Sequence, residues 1–276
     1  MDEMGPHARR HVPVPGAGAE EHLRSLALSV ARCPEVSSAR SDLAHPCNTI
    51  VNVQKGPPET FQVPEAWAGN LSGAGIVFLS SNPSISEPKD GKPPESAEAY
   101  PTAMDDDDLV AEFIVHRFDG YWALPEGKHG RIDGGYTYVA FWGAIRKVAS
   151  DLLGYVASPA VDYVMTEVVH CKSRDQCGVS EAVNLCSRLH MDRILAACPA
   201  PVVVVVGSEA RERVAGIWDL GWDAKHTPAV VREIAGRRRT IVQLAHPAAF
   251  GANQYVSTKY PDHFAELQAS ALSALA

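Results

Sequence analysis

Two polar stops follow apolar runs far apart in the chain: Ser80-Ser81-Asn82-Pro83-Ser84 after Ile76-Val77-Phe78-Leu79, and His246-Pro247 after the run that ends at Leu244. An Asn side chain carries an acceptor and a donor on one amide, and a neutral His carries one of each on its ring. Such groups can hold a water molecule and donate to a developing anion. The prolines add direction. The residue before a Pro is pushed out of the helical region and Pro fixes its own φ, so the backbone aims both side chains. Either stop, standing alone, is equally an ordinary proline turn. In an open parallel sheet, however, ligands bind outside the carboxyl ends of the strands, where residues distant in sequence meet. Asn82 and His246 are the first candidates for one site.

The elements that must position them are legible as alternating patterns. Strands are expected at 75–79, Tyr163–Val169, Val202–Val206 and Thr240–Leu244, and helices at Glu21–Arg32, Phe141–Leu153, Ser180–Ala197 and from Gly207-Ser208 to Ala215. β-branched runs apolar on both faces, alternating with helical periodicity, predict an α/β fold: a three-layer α/β/α sandwich with a mostly parallel central sheet. Residues 1–20, rich in Pro, Gly and Ala, read as a mobile tail before a single domain over 21–276. A long insertion at about 87–135 carries Pro, Gly, the acidic run Asp105 to Asp108 and dispersed aromatics, with a helix expected over Leu109–Phe118.

Composition bounds the function classes. The chain has 276 residues, 46% hydrophobic, with a net charge of -8 and a pI near 5.7, so a sizeable core is available and no bulk charge draws it to nucleic acid. An anionic partner must be met by local patches: Arg237-Arg238-Arg239 with Arg232 nearby, Lys225-His226, or Arg211 and Arg213. The ordinary alternative for such a run is solvated surface. No apolar stretch approaches the roughly 20 residues of a membrane span, and the start lacks a signal-peptide core, so a cytoplasmic monomer away from membranes is expected. Six cysteines in that setting read as reduced thiols or metal ligands.

The order of these motifs resembles the uracil-DNA glycosylase superfamily. Ser80-Ser81-Asn82-Pro83-Ser84 is similar to the first motif of the branches written Gly-x-Asn-Pro-Gly. Thr166-Glu167-Val168-Val169-His170-Cys171, then Gly178-Val179-Ser180-Glu181-Ala182-Val183 and Cys186, resemble the iron-sulfur branch's Thr-Asn-Val-Val-Lys-Cys, its Pro-Thr-Pro-Glu-Glu segment and its next Cys. Ala245-His246-Pro247-Ala248 looks like the His-Pro-Ser motif, and Phe141-Trp142-Gly143 like the Phe-Val-Gly whose aromatic stacks on a flipped base. The matches cover about residues 70–255.

The resemblance implies a monofunctional DNA glycosylase that excises uracil or a related damaged pyrimidine, with DNA containing the damaged base as partner. Asn82 would position the water, His246 would stabilise the leaving base, and Phe141 would stack on it. Ser81 and Ser84 would contact the base or phosphate, and Phe250 would stand in the segment that the family wedges into the minor groove. Arg237, Arg238 and Arg239 would supply phosphate contacts. For Phe141 and Phe250 a plain core role is the ordinary alternative. Two other readings stand beside this one: a member that holds damaged or single-stranded DNA without turnover, and a nucleoside or nucleotide hydrolase.

Two departures matter. The family's base-reading Asn is Glu167 here, and a carboxylate only accepts where an amide accepts and donates. Either Glu167 is protonated in a closed pocket, or another group reads the base, or the substrate is not plain uracil; a carboxylate suits an exocyclic amine of the cytosine kind. The iron-sulfur branch also uses a Cys-x-x-Cys near the N-terminus, of which Cys33-Pro34 matches only the second, with Val30 where the first would stand. The resemblance implies a 4Fe-4S cluster on Cys33, Cys171, Cys186 and a fourth thiol, Cys47 or Cys177, since thiolate ligands need only converge in space. Otherwise these cysteines are small buried hydrophobes.

Overall fold

Five consecutive valines, Val202–Val206, are buried on both faces, and this marks the middle of the molecule. β-branched side chains pack well on a pleated surface, and a strand with no polar face has helices or other chain on both sides. The computed structural model describes residues 17–54, 61–84, 105–107, 121–123, 129–131, 140–247, 249 and 255–276. Among them the strands are β1 (Ala68–Gly69), β2 (Ile76–Ser80), β3 (Tyr121–Ala123), β4 (His129–Arg131), β5 (Tyr163–Glu167), β6 (Val202–Val206), β7 (Val230–Ile234) and β8 (Arg237–Leu244). The helices are α1 (Ala17–Ala31), α2 (Glu35–Ser41), α3 (Asn48–Asn52), α4 (Ala140–Leu153), α5 (Val179–Cys186), α6 (Asp192–Ala197), α7 (Ser208–Ile217), α8 (Val256–Lys259) and α9 (Phe264–Ser273).

The fold is mixed α/β around a six-stranded sheet in the order β1-β5-β2-β6-β8-β7. The four inner strands are parallel, and β1 and β7 are antiparallel edges. Register pairs Ser80 with Glu167, Phe78 with Val204 and Val204 with Val242. Alternation along the strands sends Val77, Leu79, Val203, Val205 and Ile241 into a core with α1, α6 and α7. Ile76, Phe78, Val202, Val204 and Val242 enter a second core with α4, α8 and α9. Each fully buried Val or Leu contributes about 1.5–3 kcal/mol, so these two sets dominate the stability.

The expected strands and long helices are present, with differences that have physical causes. The first helix begins at Ala17, inside the expected tail; residues 1–16 lie outside the described residues. The expected helix Ser180–Ala197 is interrupted by a π turn, Ser187–Met191, which turns His190 and Met191 inward. The helices α2, between Cys33 and Cys47, and α3, just after Cys47, are too short to carry periodicity. β7 joins β8 through Ala235-Gly236, with φ 51 and 73, the left-handed pair of a tight hairpin turn. Most of the expected 87–135 insertion, including the helix at Leu109–Phe118, lies outside the described residues. Within it, β3 pairs with β4, and Asp106 and Asp107 pair with Arg32 at 3.0 Å and Arg24 at 2.6 Å. No helix among the described residues is long and apolar enough to cross a membrane.

Candidate functional site

The four parallel strands bring their carboxyl ends to one edge. There Glu167 of β5, Ser80-Ser81-Asn82 after β2, Gly207 after β6 and His246 after β8 stand side by side in the order of the sheet. Asn82 and His246 follow β2 and β8, the two strands on either side of β6, which are two strand spacings or roughly 10 Å apart.

Asn82 is held on both sides of its amide. Its Nδ2 donates to the Pro83 carbonyl at 2.8 Å, and its Oδ1 accepts from Gln176 Nε2 at 2.7 Å. Ser81, buried, donates its hydroxyl to Gln176 Oε1 at 2.6 Å. The loop is zipped to the chain beyond β5: Val168 and Val169 donate N–H to the carbonyls of Ser80 and Ser81, and Ser173 N–H to that of Pro83. Ser84 is exposed and bridges to Ser173. Gln176 carries no sequence signal; its contact spans ninety-four positions.

His246 lies on the other side of β6. Gly207 has φ 89, a region side chains rarely adopt, and a Cβ there would touch the His246 side chain at 3.5 Å. That distance is ordinary contact, so the glycine is required by its backbone conformation, and the His246 side chain lies beside the end of β6. The Phe141 ring is 5.4 Å away by centroid, with the planes 31° apart. The His246 side chain is open to solvent on one side, and desolvation on the other lowers its pKa from the ordinary value, which favours the neutral ring. Phe141 itself is half-buried and packs on Trp142 at the start of α4. Glu167, half-buried, accepts a short hydrogen bond from the Ser80 hydroxyl through its Oε2. Beside it runs a buried ion pair, Lys172 to Glu65 at 2.7 Å.

A second grouping lies behind this edge. Cys47, Cys171 and Cys186 share a small buried core with Ile50, Val169 and Val179, and Cys33 is near enough to raise their pKa values. Burial is the main cause. It pushes Cys47 up to about 11 and Cys186 to about 12, and raises Cys171 and Cys33. The His170 N–H points at Cys186 Sγ, 3.3 Å away. Cys177 is exposed, so Cys47 is the fourth thiol of the group. Among the described residues, no three His, Cys, Asp or Glu side chains stand in metal-holding geometry. Adjacent to the thiols, His170 and His190 meet edge to face at 5.6 Å, and burial lowers them to about 4 and about 3.

The arginine run corrects an expectation. Arg239 is 1% exposed, and its guanidinium donates to the carbonyls of Leu195, Cys198, Ala200 and Ile234, closing the end of α6. It is a buried bolt and no phosphate contact. Arg237 and Arg238 are exposed but begin β8, on the order of 25 Å of strand from His246 at its other end. The structure does not bring them to the site. Arg211 and Arg213 pair with Glu212 and Glu209 on their own helix. Phe250 lies outside the described residues. No protein-family model matches the chain, and no curated protein is significantly similar to it.

Proposed function

We propose that the protein is a monofunctional DNA glycosylase of the uracil-DNA glycosylase superfamily, excising uracil or a related damaged pyrimidine, on a three-layer α/β/α sandwich. One observation carries the reading. An amide of fixed direction, Asn82, and a neutral imidazole against an aromatic ring, His246 on Phe141, follow the two strands on either side of β6.

In this reading the target nucleotide leaves the stack and its base rests on Phe141. The C1′–N bond breaks with its electron pair passing to the base. His246, already neutral, donates a hydrogen bond to the base oxygen on which that charge collects, and this stabilises the departing anion without a proton transfer. A water whose O–H is accepted by Asn82 Oδ1 adds to the cation-like C1′; its proton ends on the released base, leaving an abasic sugar and free base. Glu167 faces the base edge. A carboxylate at that edge accepts an N–H, which favours a base with an exocyclic amine or an imide N–H.

The cysteine group fits a cluster by its donor chemistry: four thiols from two segments, three of them buried, one facing a backbone N–H. Cys33, Cys47, Cys171 and Cys186 would hold a 4Fe-4S group. When bound, it would supply a structural clasp between the N-terminal helices and the 171–186 segment. Protein purified without oxygen is expected to be brown, with broad visible absorbance; colourless, iron-free protein removes the cluster from the account.

The activity is tested with single- and double-stranded oligonucleotides carrying uracil or modified cytosines, followed by alkali. Strand breaks at the modified position are expected. Tight DNA retention without breaks points to a binding protein, and hydrolysis of free nucleosides alone to a nucleoside hydrolase; either overturns the proposal.

A further inference from the structure

We infer that Gln176 is a positioning residue, which fixes the direction of the Asn82 amide so that its oxygen faces the attacking water. This rests on the glycosylase reading for its purpose but on geometry for its substance.

The hydrogen bonds form a chain whose directions are forced. The Pro83 carbonyl can only accept, so Asn82 must turn Nδ2 toward it, at 2.8 Å. Asn82 Oδ1 then faces Gln176, where only a donor satisfies it, and Gln176 Nε2 stands there at 2.7 Å. Gln176 Oε1 is thereby turned to Ser81, whose hydroxyl donates to it at 2.6 Å. No amide in this chain can be reversed without placing two acceptors or two donors face to face. Ser81 Oγ also stands 3.3 Å from Asn82 Oδ1, but its single proton lies on the shorter bond to Gln176, so Oδ1 keeps acceptor capacity for a ligand in a direction set from behind.

The segment that presents Gln176 is itself constrained. Asp175 and Gln176 have φ of 49 and 62, two consecutive left-handed residues without a glycine. Such a pair persists where neighbouring contacts over-determine it. Here Ser173 N–H binds the Pro83 carbonyl, Ser173 Oγ donates to the Cys177 carbonyl at 2.6 Å, and Gly178 lies so close to α3 that a Cβ would reach Ile50 N at 2.3 Å. The residues that follow Cys171 are therefore folded to deliver one amide to Asn82.

The test compares Gln176→Ala and Gln176→Glu in the wild-type background, and Gln176→Ala in Asn82→Asp, by single-turnover base release and by NMR of the Asn82 side-chain amide. A carboxylate at 82 has two acceptor oxygens and no direction to lose. Both Gln176 variants are expected to slow the chemical step by about tenfold or more in the wild-type background, with half-saturation unchanged, and Gln176→Ala to add little loss in the Asn82→Asp background. The Asn82 amide signals, identified by their absence in Asn82→Asp, should shift and exchange faster with solvent in Gln176→Ala. Rates equal to wild type, or an equal loss in both backgrounds, overturn the role. If the wild-type protein releases no base, the glycosylase reading fails, and the NMR arm still decides: unchanged Asn82 amide signals in Gln176→Ala overturn the inference.

Discussion

The imidazole of His246 packs against the ring of Phe141 at 5.4 Å, which joins the start of α4 to the end of β8. Partial burial holds the His246 pKa below 6.5, so the neutral ring is the resting form at pH 7. Phe141→Ala exposes the ring, and the pKa read by NMR titration should rise toward the ordinary value. The rate of base release should be flat from pH 7 to 9. A tenfold fall per pH unit over that range would mean that the imidazolium acts instead.

In the proposed reading Glu167 takes the base-reading position, and its Oε2 accepts from Ser80. Glu167→Asn restores one acceptor and one donor on the base edge. Uracil release relative to release of a cytosine-type base should rise by roughly tenfold to a hundredfold in competition assays. An unchanged ratio would place base reading elsewhere.

Arg239 and Arg238 are neighbours with opposite fates. Arg239→Leu removes the guanidinium donor from the Cys198 and Ala200 carbonyls of the loop after α6, and should cost about 2–4 kcal/mol in urea unfolding. Arg238→Ala should cost almost nothing and leave the salt dependence of DNA binding unchanged. A reduced salt slope in Arg238→Ala would bring that end of β8 into the DNA footprint.

His190 is buried with neither ring nitrogen hydrogen-bonded, facing His170 and influenced by Arg193. Burial, chiefly, lowers its pKa to about 3 in the fold, against about 6.5 unfolded. Its contribution is therefore complete above pH 6.5 and is lost as pH falls toward 3, because the unfolded chain takes up the proton first. The slope is up to ~1.4 kcal/mol per pH unit. Denaturation midpoints of His190→Leu should be less sensitive to acid over this window than those of wild type.

The frame of the fold was legible because Ile76–Leu79 and Val202–Val206 are apolar on both faces, a pattern that few structures other than inner parallel strands satisfy. Asn82 and His246 follow from that pattern as strand-end residues, whereas Glu167 was singled out only by the family resemblance. Gln176 was not legible, because its role depends on a left-handed pair and a partner far along the chain. Arg239 misled because a three-arginine run reads as surface, although its parity with Ile241 along β8 is a signal that it faces a core. The fourth thiol stayed open between Cys47 and Cys177 because two short helices, invisible to periodicity, decide which one turns inward.

The most direct test is mass spectrometry of the base released from pyrimidine-modified oligonucleotides by the wild-type protein, Asn82→Ala and His246→Ala. The account expects free uracil or a related pyrimidine with an abasic site from the wild type, and rates lowered at least about a hundredfold in each variant. Base release that survives both substitutions, or no base from any oligonucleotide, would contradict it.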